Sequence, residues 1–152
     1  MRPDISASRG NDGKWSVLWL IVAFPIIWTL YASLSRYNLD RMGDMVENFA
    51  WGISRQLGYY KHPPFYSWIT AAWFSVFPRT DFFYHLLASM SVTVALLAMW
   101  RISTRFFTVG QQRALFVAVF FLPPLTFLTR NYNATSAMLP LWAFTFLFYL
   151  RV

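Results

Sequence analysis

The sequence predicts an all-α, polytopic membrane protein, with about four transmembrane helices and further interfacial helices in its first extracytoplasmic loop. Of its 152 residues, 57% are hydrophobic and only 12% are charged. That balance leaves too little polar surface for a soluble domain of this size. The longest uncharged stretches also reach about 20 residues, the length that a helix needs to cross the hydrocarbon core of a bilayer.

The four predicted spans are the stretches with the fewest charges, at residues 15–34, 82–100, 113–129 and 134–150. Pro25 predicts a kink within the first span, and Pro123-Pro124 predicts a break near the outer end of the third. The polar residues 1–14 predict a disordered cytoplasmic tail.

Residues 35–81 form the predicted outer loop, which contains two expected helices. The first runs from Asp44 to about Leu57, with an apolar face that comprises Met45, Phe49, Ile53 and Leu57. A polar face comprises Asp44, Glu47, Asn48, Trp51 and Arg55. This amphipathic pattern predicts a helix that lies on the membrane surface.

The second expected helix, Pro64–Phe77, has about thirteen apolar residues, which is short for a span. If it does not cross, Arg101, Arg105 and Arg113 fall in one short cytoplasmic loop, as the positive-inside rule prefers. The formal charge of +7 therefore reflects topology and anionic lipid and does not indicate nucleic-acid binding. The absence of cysteine excludes disulfides, thiolate metal sites and cysteine nucleophiles.

The most informative segment is 44–64, DMVENFAWGISRQLGYYKHPP, which places carboxylates, a lysine and a histidine between apolar stretches. An Asp opens a short helix, and a Gly-Tyr-Tyr-x-His-Pro-Pro run follows. This pattern resembles the first extracytoplasmic loop of polytopic GT-C glycosyltransferases. The branch it resembles is the bacterial, glycosyltransferase family 39 type, related to protein O-mannosyltransferases and aminoarabinose lipid A transferases.

The resemblance covers roughly residues 15–150. Because members of that family run to several hundred residues, it implies that this chain is the N-terminal part of such an enzyme. It also implies that Asp44 is the catalytic base that deprotonates the acceptor. Local sequence alone favours a simpler role for Asp44, as a helix N-cap whose capping box Glu47 completes.

The candidate substrate-binding residues are the polar and aromatic groups of this segment together with one asparagine between the last two spans: Lys61, His62, Glu47, Tyr59, Tyr60 and Asn133. Each also has a structural reading. Lys61 suits a snorkelling interfacial lysine, and His62 suits hydrogen bonding within the loop. Tyr59 and Tyr60 suit interfacial anchoring alongside Trp51, Trp68 and Trp73. Asn133 suits a short loop cap.

Lys61 departs from the family pattern. In many relatives the residue before His-Pro-Pro is acidic and is associated with the catalytic or metal-binding centre. A lysine there leaves metal dependence open, so no cofactor is predicted with certainty and a divalent metal remains an alternative. The lysine would instead suit the donor's phosphate, as a point charge.

The leading hypothesis is a glycosyltransferase of the cytoplasmic (inner) membrane. It would use a polyprenyl-phosphate sugar at the outer face and transfer the sugar to a lipid, polysaccharide or protein acceptor. The absence of nucleotide-binding motifs agrees with a donor that is not a nucleotide sugar. The alternative is a non-enzymatic membrane protein, such as a lipid-carrier translocation partner or a degenerate remnant.

Overall fold

The computed structural model describes residues 5–35 and 43–150, and over those residues it is all-helical, with seven helices and no strands. The helices are α1 (Ile5–Ser35), α2 (Asp44–Ser54), α3 (Phe65–Val76), α4 (Asp81–Phe106), α5 (Val109–Phe120), α6 (Pro123–Arg130) and α7 (Ala134–Tyr149). The predicted all-α class is confirmed for this part of the chain.

Two of these helices are long and apolar enough to cross a membrane: the Trp15–Ser35 part of α1, and α4. A third span is formed if α5 and α6, which meet at an angle of 52°, are counted together. At 16 residues α7 is apolar but shorter. The described residues therefore contain two or three candidate membrane spans by length and composition, and the predicted count of four is not confirmed.

Two predicted boundaries were wrong. The first helix begins at Ile5, so residues 5–14, predicted as a disordered tail, are helical. No proline lies between residues 4 and 15, and extending a formed helix costs far less than starting one. In the same way α4 continues to Phe106. Arg101 and Arg105 therefore lie in its last turns and not in a loop.

The connection from α4 to α5 is only two residues long, Phe107 and Thr108. Thr108 starts α5 with a complete capping box. Its hydroxyl accepts from the backbone N–H of Gln111, and the Gln111 side chain accepts from the backbone N–H of Thr108. Such reciprocal bonds satisfy amide groups that a helix start leaves free.

The centre of the bundle is α4, which packs against α1, α6 and α7, while α1 also contacts α5 and α6. One apolar cluster joins these helices and includes Val17, Ile21, Phe24, Val92, Leu96 and Phe116. Small residues of α4 at helical spacing, Ala88, Ala95 and Ala98, are buried against its neighbours. Ser91 of the same helix donates a hydrogen bond to the backbone carbonyl of Ser136 in α7. Small side chains thus allow the close helix approach that is typical of membrane bundles.

The break between α5 and α6 occurs at the proline pair, as predicted. Pro124 has no N–H, so the carbonyl of Phe120 loses its usual partner four residues ahead. The indole N–H of Trp28 in α1 donates to that carbonyl instead, at 3.2 Å. The N–H of Leu122 donates to the carbonyl of Val119 at 3.1 Å, which Pro123 would otherwise leave free. Both carbonyls at the break are therefore satisfied.

Two hydrogen bonds show which helix ends lie together. Arg113 near the start of α5 donates to the hydroxyl of Ser16 at 2.7 Å. Arg105 at the end of α4 donates to the carbonyl of Leu150, just after α7. Ser16 lies towards the start of α1, and Arg105 lies at the end of α4. The segment with α2 and α3 follows the end of α1 and precedes the start of α4, so it lies at the opposite end of these two helices. This arrangement agrees with the predicted separation of the arginines from residues 44–62.

Candidate functional site

The candidate site is a cluster of four hydrogen-bonded side chains, Asp44, Glu47, Tyr60 and Lys61. Asp44 is the first residue of α2 and Glu47 lies one turn later on the same face. The Lys61 ammonium lies 3.0 Å from Oδ1 of Asp44 and 3.0 Å from Oε2 of Glu47. The Tyr60 hydroxyl donates to Oε1 of Glu47 at 2.6 Å. Residues that lie 13 to 17 positions apart thus meet at one point.

The cluster is charged and accessible to solvent. The side chains of Lys61, Asp44 and Glu47 are 42%, 38% and 22% exposed. The hydrogen bond from Tyr60, followed by that from Lys61, lowers the pKa of Glu47. Hydrogen bonds to Asp44 and Glu47 raise the pKa of Lys61, and the bond to Glu47 raises the pKa of Tyr60. At neutral pH the three charged groups together carry a net charge of −1.

The predicted capping roles of the two acids were wrong. The N-cap of α2 is Gly43, which has no side chain with which to cap, and Asp44 is the residue after it. Asp44 and Glu47 use their carboxylates on Lys61 and, for Glu47, on Tyr60. Both acids still lie in the first turn, where a negative charge interacts favourably with the helix dipole.

Tyr59 and Trp51 hold the loop that carries Lys61. Their rings are stacked, with centroids 4.5 Å apart and planes at 7°. The Tyr59 hydroxyl donates to the carbonyl of Trp51 and accepts from the backbone N–H of Gln56 at 3.0 Å. Tyr59 therefore fixes the loop to the end of α2. Its predicted contact with substrate stays a prediction.

His62 lies among aromatic rings. Its ring meets Trp51 and Tyr66 edge-on, with centroids 6.4 Å and 5.7 Å away. Across residues 5–35 and 43–150 it forms no hydrogen bond, so its predicted hydrogen bonding within the loop was wrong. Of the other predicted aromatics, Tyr60 also meets Trp51 edge-on. Trp68 and Trp73 point their indole N–H groups elsewhere, to Gln56 and Phe83.

Asn133 is the N-cap of α7. Its side-chain oxygen accepts from the backbone N–H of Ser136 at 3.0 Å and from the Ser136 hydroxyl at 3.2 Å. The capping reading of Asn133 is therefore confirmed. Its predicted contact with substrate remains untested, and none of its hydrogen bonds reaches Lys61 or the two acids.

A divalent metal does not fit the side chains of this cluster. The point between Asp44 and Glu47 that a bridging cation would need is taken by the Lys61 ammonium. Mg²⁺ and Ca²⁺ need several oxygen ligands, and the described residues contain no group of three His, Cys, Asp or Glu side chains suited to a metal. In this arrangement Lys61 supplies the positive charge.

A buried network that the sequence analysis did not predict holds α2 in place. The Asn48 amide donates to the Thr70 hydroxyl at 2.7 Å and to the Tyr84 hydroxyl at 2.8 Å. The Tyr84 hydroxyl then donates to the carbonyl of Met45 at 2.8 Å. The network therefore joins α2 to both α3 and α4. In the sequence, Asn48 follows Asp44 by four residues and so resembles part of an exposed polar face. Only its partners in α3 and α4 show that it is buried.

The buried stripe of α2 consequently differs from the predicted apolar face. Met45, Asn48 and Gly52 are buried, whereas Ile53 and Leu57 are 60% and 87% exposed. Gly52 allows the close approach of α3, because a Cβ at that position would lie 3.0 Å from the carbonyl oxygen of Ser67. The predicted placement of α2 at the membrane surface stays a prediction.

Comparisons with known proteins give no identification: no family model, no curated protein and no solved structure matches the chain.

Proposed function

We propose that the chain acts as part of a membrane glycosyltransferase of the GT-C type, which uses a polyprenyl-phosphate sugar at the outer face of the cytoplasmic membrane. The observation that carries this proposal is the meeting of Asp44, Glu47, Tyr60 and Lys61 at one accessible point. All four belong to the segment whose residues carry the family resemblance. That segment connects two helices, α1 and α4, which are long and apolar enough to span a membrane.

The proposed reaction needs a base at the membrane surface. The Asp44 carboxylate takes the proton of an acceptor hydroxyl, and the acceptor oxygen forms a bond to the anomeric carbon of the sugar. The bond between that carbon and the donor's phosphate oxygen breaks, and polyprenyl phosphate leaves with the electron pair. Asp44 has one carboxylate oxygen outside its contact with Lys61, so it can serve as base without losing that contact.

Lys61 and Glu47 have distinct roles in this proposal. Lys61 orients the Asp44 carboxylate, because its ammonium bonds directly to it. Glu47 and Tyr60 fix the position of Lys61 from the other side. A role for Lys61 in binding the donor's phosphate also remains proposed. In the structure its charge is already shared between two carboxylates, which favours the orienting role.

The test is an assay of membranes that contain the complete gene product, against a panel of polyprenyl-phosphate sugars. Transfer with at least one donor, lost in the Asp44→Asn variant, would support the proposal. A protein that folds, inserts and transfers no sugar from any donor would favour the non-enzymatic alternative, a lipid-carrier translocation partner or a remnant.

A further inference from the structure

We infer that a second site, between α2 and α3, binds the phosphate-bearing headgroup of an anionic membrane lipid. A cavity of about 310 Å³ opens there, with walls formed by Phe49, Gly52, Ile53, Thr70, Ala71 and Phe74. Arg55 and Arg79 line the same cavity. Its volume lies at the lower end of the range for small-molecule sites in proteins.

The two arginines carry charges that nothing in the described structure neutralises. Across residues 5–35 and 43–150, neither guanidinium forms an ion pair or a side-chain hydrogen bond, and the salt bridges found there are the two made by Lys61. Asp81, two residues after Arg79, forms no ion pair with it. Asp81 lines an adjoining cavity with Arg79, so the three charges leave a net charge of +1.

The position of Arg55 adds a separate reason. Arg55 ends α2 in the left-handed conformation, with φ of 49° and ψ of 35°. Glycine adopts this conformation at helix ends without strain, whereas a residue with a Cβ does so at a cost. A strained arginine where glycine would fit indicates that its side chain has a use.

A lipid suits the cavity better than a free anion because of its walls. Guanidinium groups recognise phosphate oxygens by paired hydrogen bonds, and Phe49, Ile53 and Phe74 offer apolar contact for the first part of an acyl chain. The site is also distinct from the Lys61 cluster. At about 100° per residue, Phe49 lies roughly 160° around α2 from Glu47, and the cavity shares no residue with the cluster. The inference therefore does not rest on the proposed enzyme activity.

The experiment is native mass spectrometry of the complete protein in detergent, titrated with phosphatidylglycerol and, separately, with phosphatidylcholine of the same acyl chains. We expect preferential binding of phosphatidylglycerol, and a loss of about tenfold in its affinity in Arg55→Gly and in Arg79→Gln. Arg55→Gly removes the guanidinium while relaxing the backbone, so the variant should fold at least as well as the wild type. Arg101→Gln, which changes an exposed arginine on α4, is the matched control and should bind as the wild type does.

Equal affinity for the two lipids, unchanged binding in both cavity variants, or an equal loss in Arg101→Gln would overturn the inference. A further arm adds inorganic phosphate. Full displacement of phosphatidylglycerol by millimolar phosphate would identify a free-anion site and refute the lipid assignment, whereas retention of the lipid supports it.

Discussion

The ammonium of Lys61 lies 3.0 Å from Oδ1 of Asp44, although seventeen residues separate them. This ion pair fixes the loop 55–64 onto the first turn of α2. It also places a positive charge beside the acid that we propose as the base.

Asp44→Asn should slow catalysis strongly while leaving the fold intact. Asparagine keeps the shape of the side chain and can still accept the hydrogen bond from Lys61, but it cannot take a proton. We expect turnover to fall on the order of 10²-fold or more, with little change in the unfolding temperature. The measurement is glycosyl transfer by the purified complete protein, with thermal unfolding followed in parallel. Near-normal turnover would restrict Asp44 to holding the loop.

Lys61→Met should separate the two roles proposed for the lysine. Without the ammonium, the pKa of Glu47 rises because one of the groups that lowers it is gone. If Lys61 orients the base, kcat falls and Lys61→Arg recovers much of the rate. If it binds the donor's phosphate, the donor KM rises instead. Wild-type values of both constants in Lys61→Met would exclude both roles.

The contribution of the cluster to stability should depend on pH in a defined direction. Glu47 has a lowered pKa, so its contribution is complete above the ordinary value of 4.5 and is lost as pH falls below it. Lys61 has a raised pKa, so its contribution is complete below 10.5 and is lost as pH rises further. The effect should be modest because solvent screens exposed pairs. We expect Glu47→Gln to lower the unfolding temperature at about pH 7, and its difference from the wild type to shrink steadily as pH falls below 4.5. A difference that persists at the acid end would contradict this.

Gly52→Val should push α2 away from α3. The new side chain would meet the carbonyl of Ser67, and a backbone group cannot rotate out of the way as a side chain can. We expect a loss of about 1–3 kcal/mol in the free energy of unfolding, measured by denaturation in detergent. Gly110→Val is the matched control, since a Cβ at this helical glycine has no neighbour within 4 Å. Equal losses of stability in the two variants would show that close packing of Gly52 against α3 does not matter for stability.

The two ends of the bundle should lie on opposite sides of the membrane. The chain contains no cysteine, so single cysteines at the exposed positions Gln56 and Gly110 can be labelled without background. A membrane-impermeant thiol reagent should label Gln56→Cys in intact cells, and Gly110→Cys only after permeabilisation. Labelling of Gly110→Cys but not of Gln56→Cys in intact cells would show that the topology is the reverse of the predicted one.

Local patterns predicted most helices of this fold, because their causes are local. Charge-poor stretches marked the positions of α1 and α4, and the proline pair marked the break before α6, since a missing N–H acts on its own turn. The start of α2 at Asp44 and the extent of α3 were also close to the structure. The prediction of a disordered tail was wrong at residues 5–14 because polar composition alone does not end a helix.

The geometry of the site could be predicted only in part. The segment 44–64 was identified, and four of its candidate residues, Asp44, Glu47, Tyr60 and Lys61, do meet. That Lys61 bonds both acids was not predicted, because contacts across 14 and 17 residues depend on how the loop turns back. The burial of Asn48 was missed for the same reason, since its partners Thr70 and Tyr84 are 22 and 36 residues away.

The bond from the Trp28 indole to the Phe120 carbonyl makes the bend between α5 and α6 a joint property of three helices. Pro124 has no N–H to donate to the Phe120 carbonyl, and the indole of Trp28 in α1 donates to it instead. If α1 moved along the bundle, the Phe120 carbonyl would lose this donor. The effects of replacing Trp28 and Pro124 therefore depend on each other. A residue with an N–H at position 124 would give the Phe120 carbonyl a second donor, so the Trp28 bond would no longer be needed. Replacing Trp28 while Pro124 is present would leave the Phe120 carbonyl without a donor among apolar side chains.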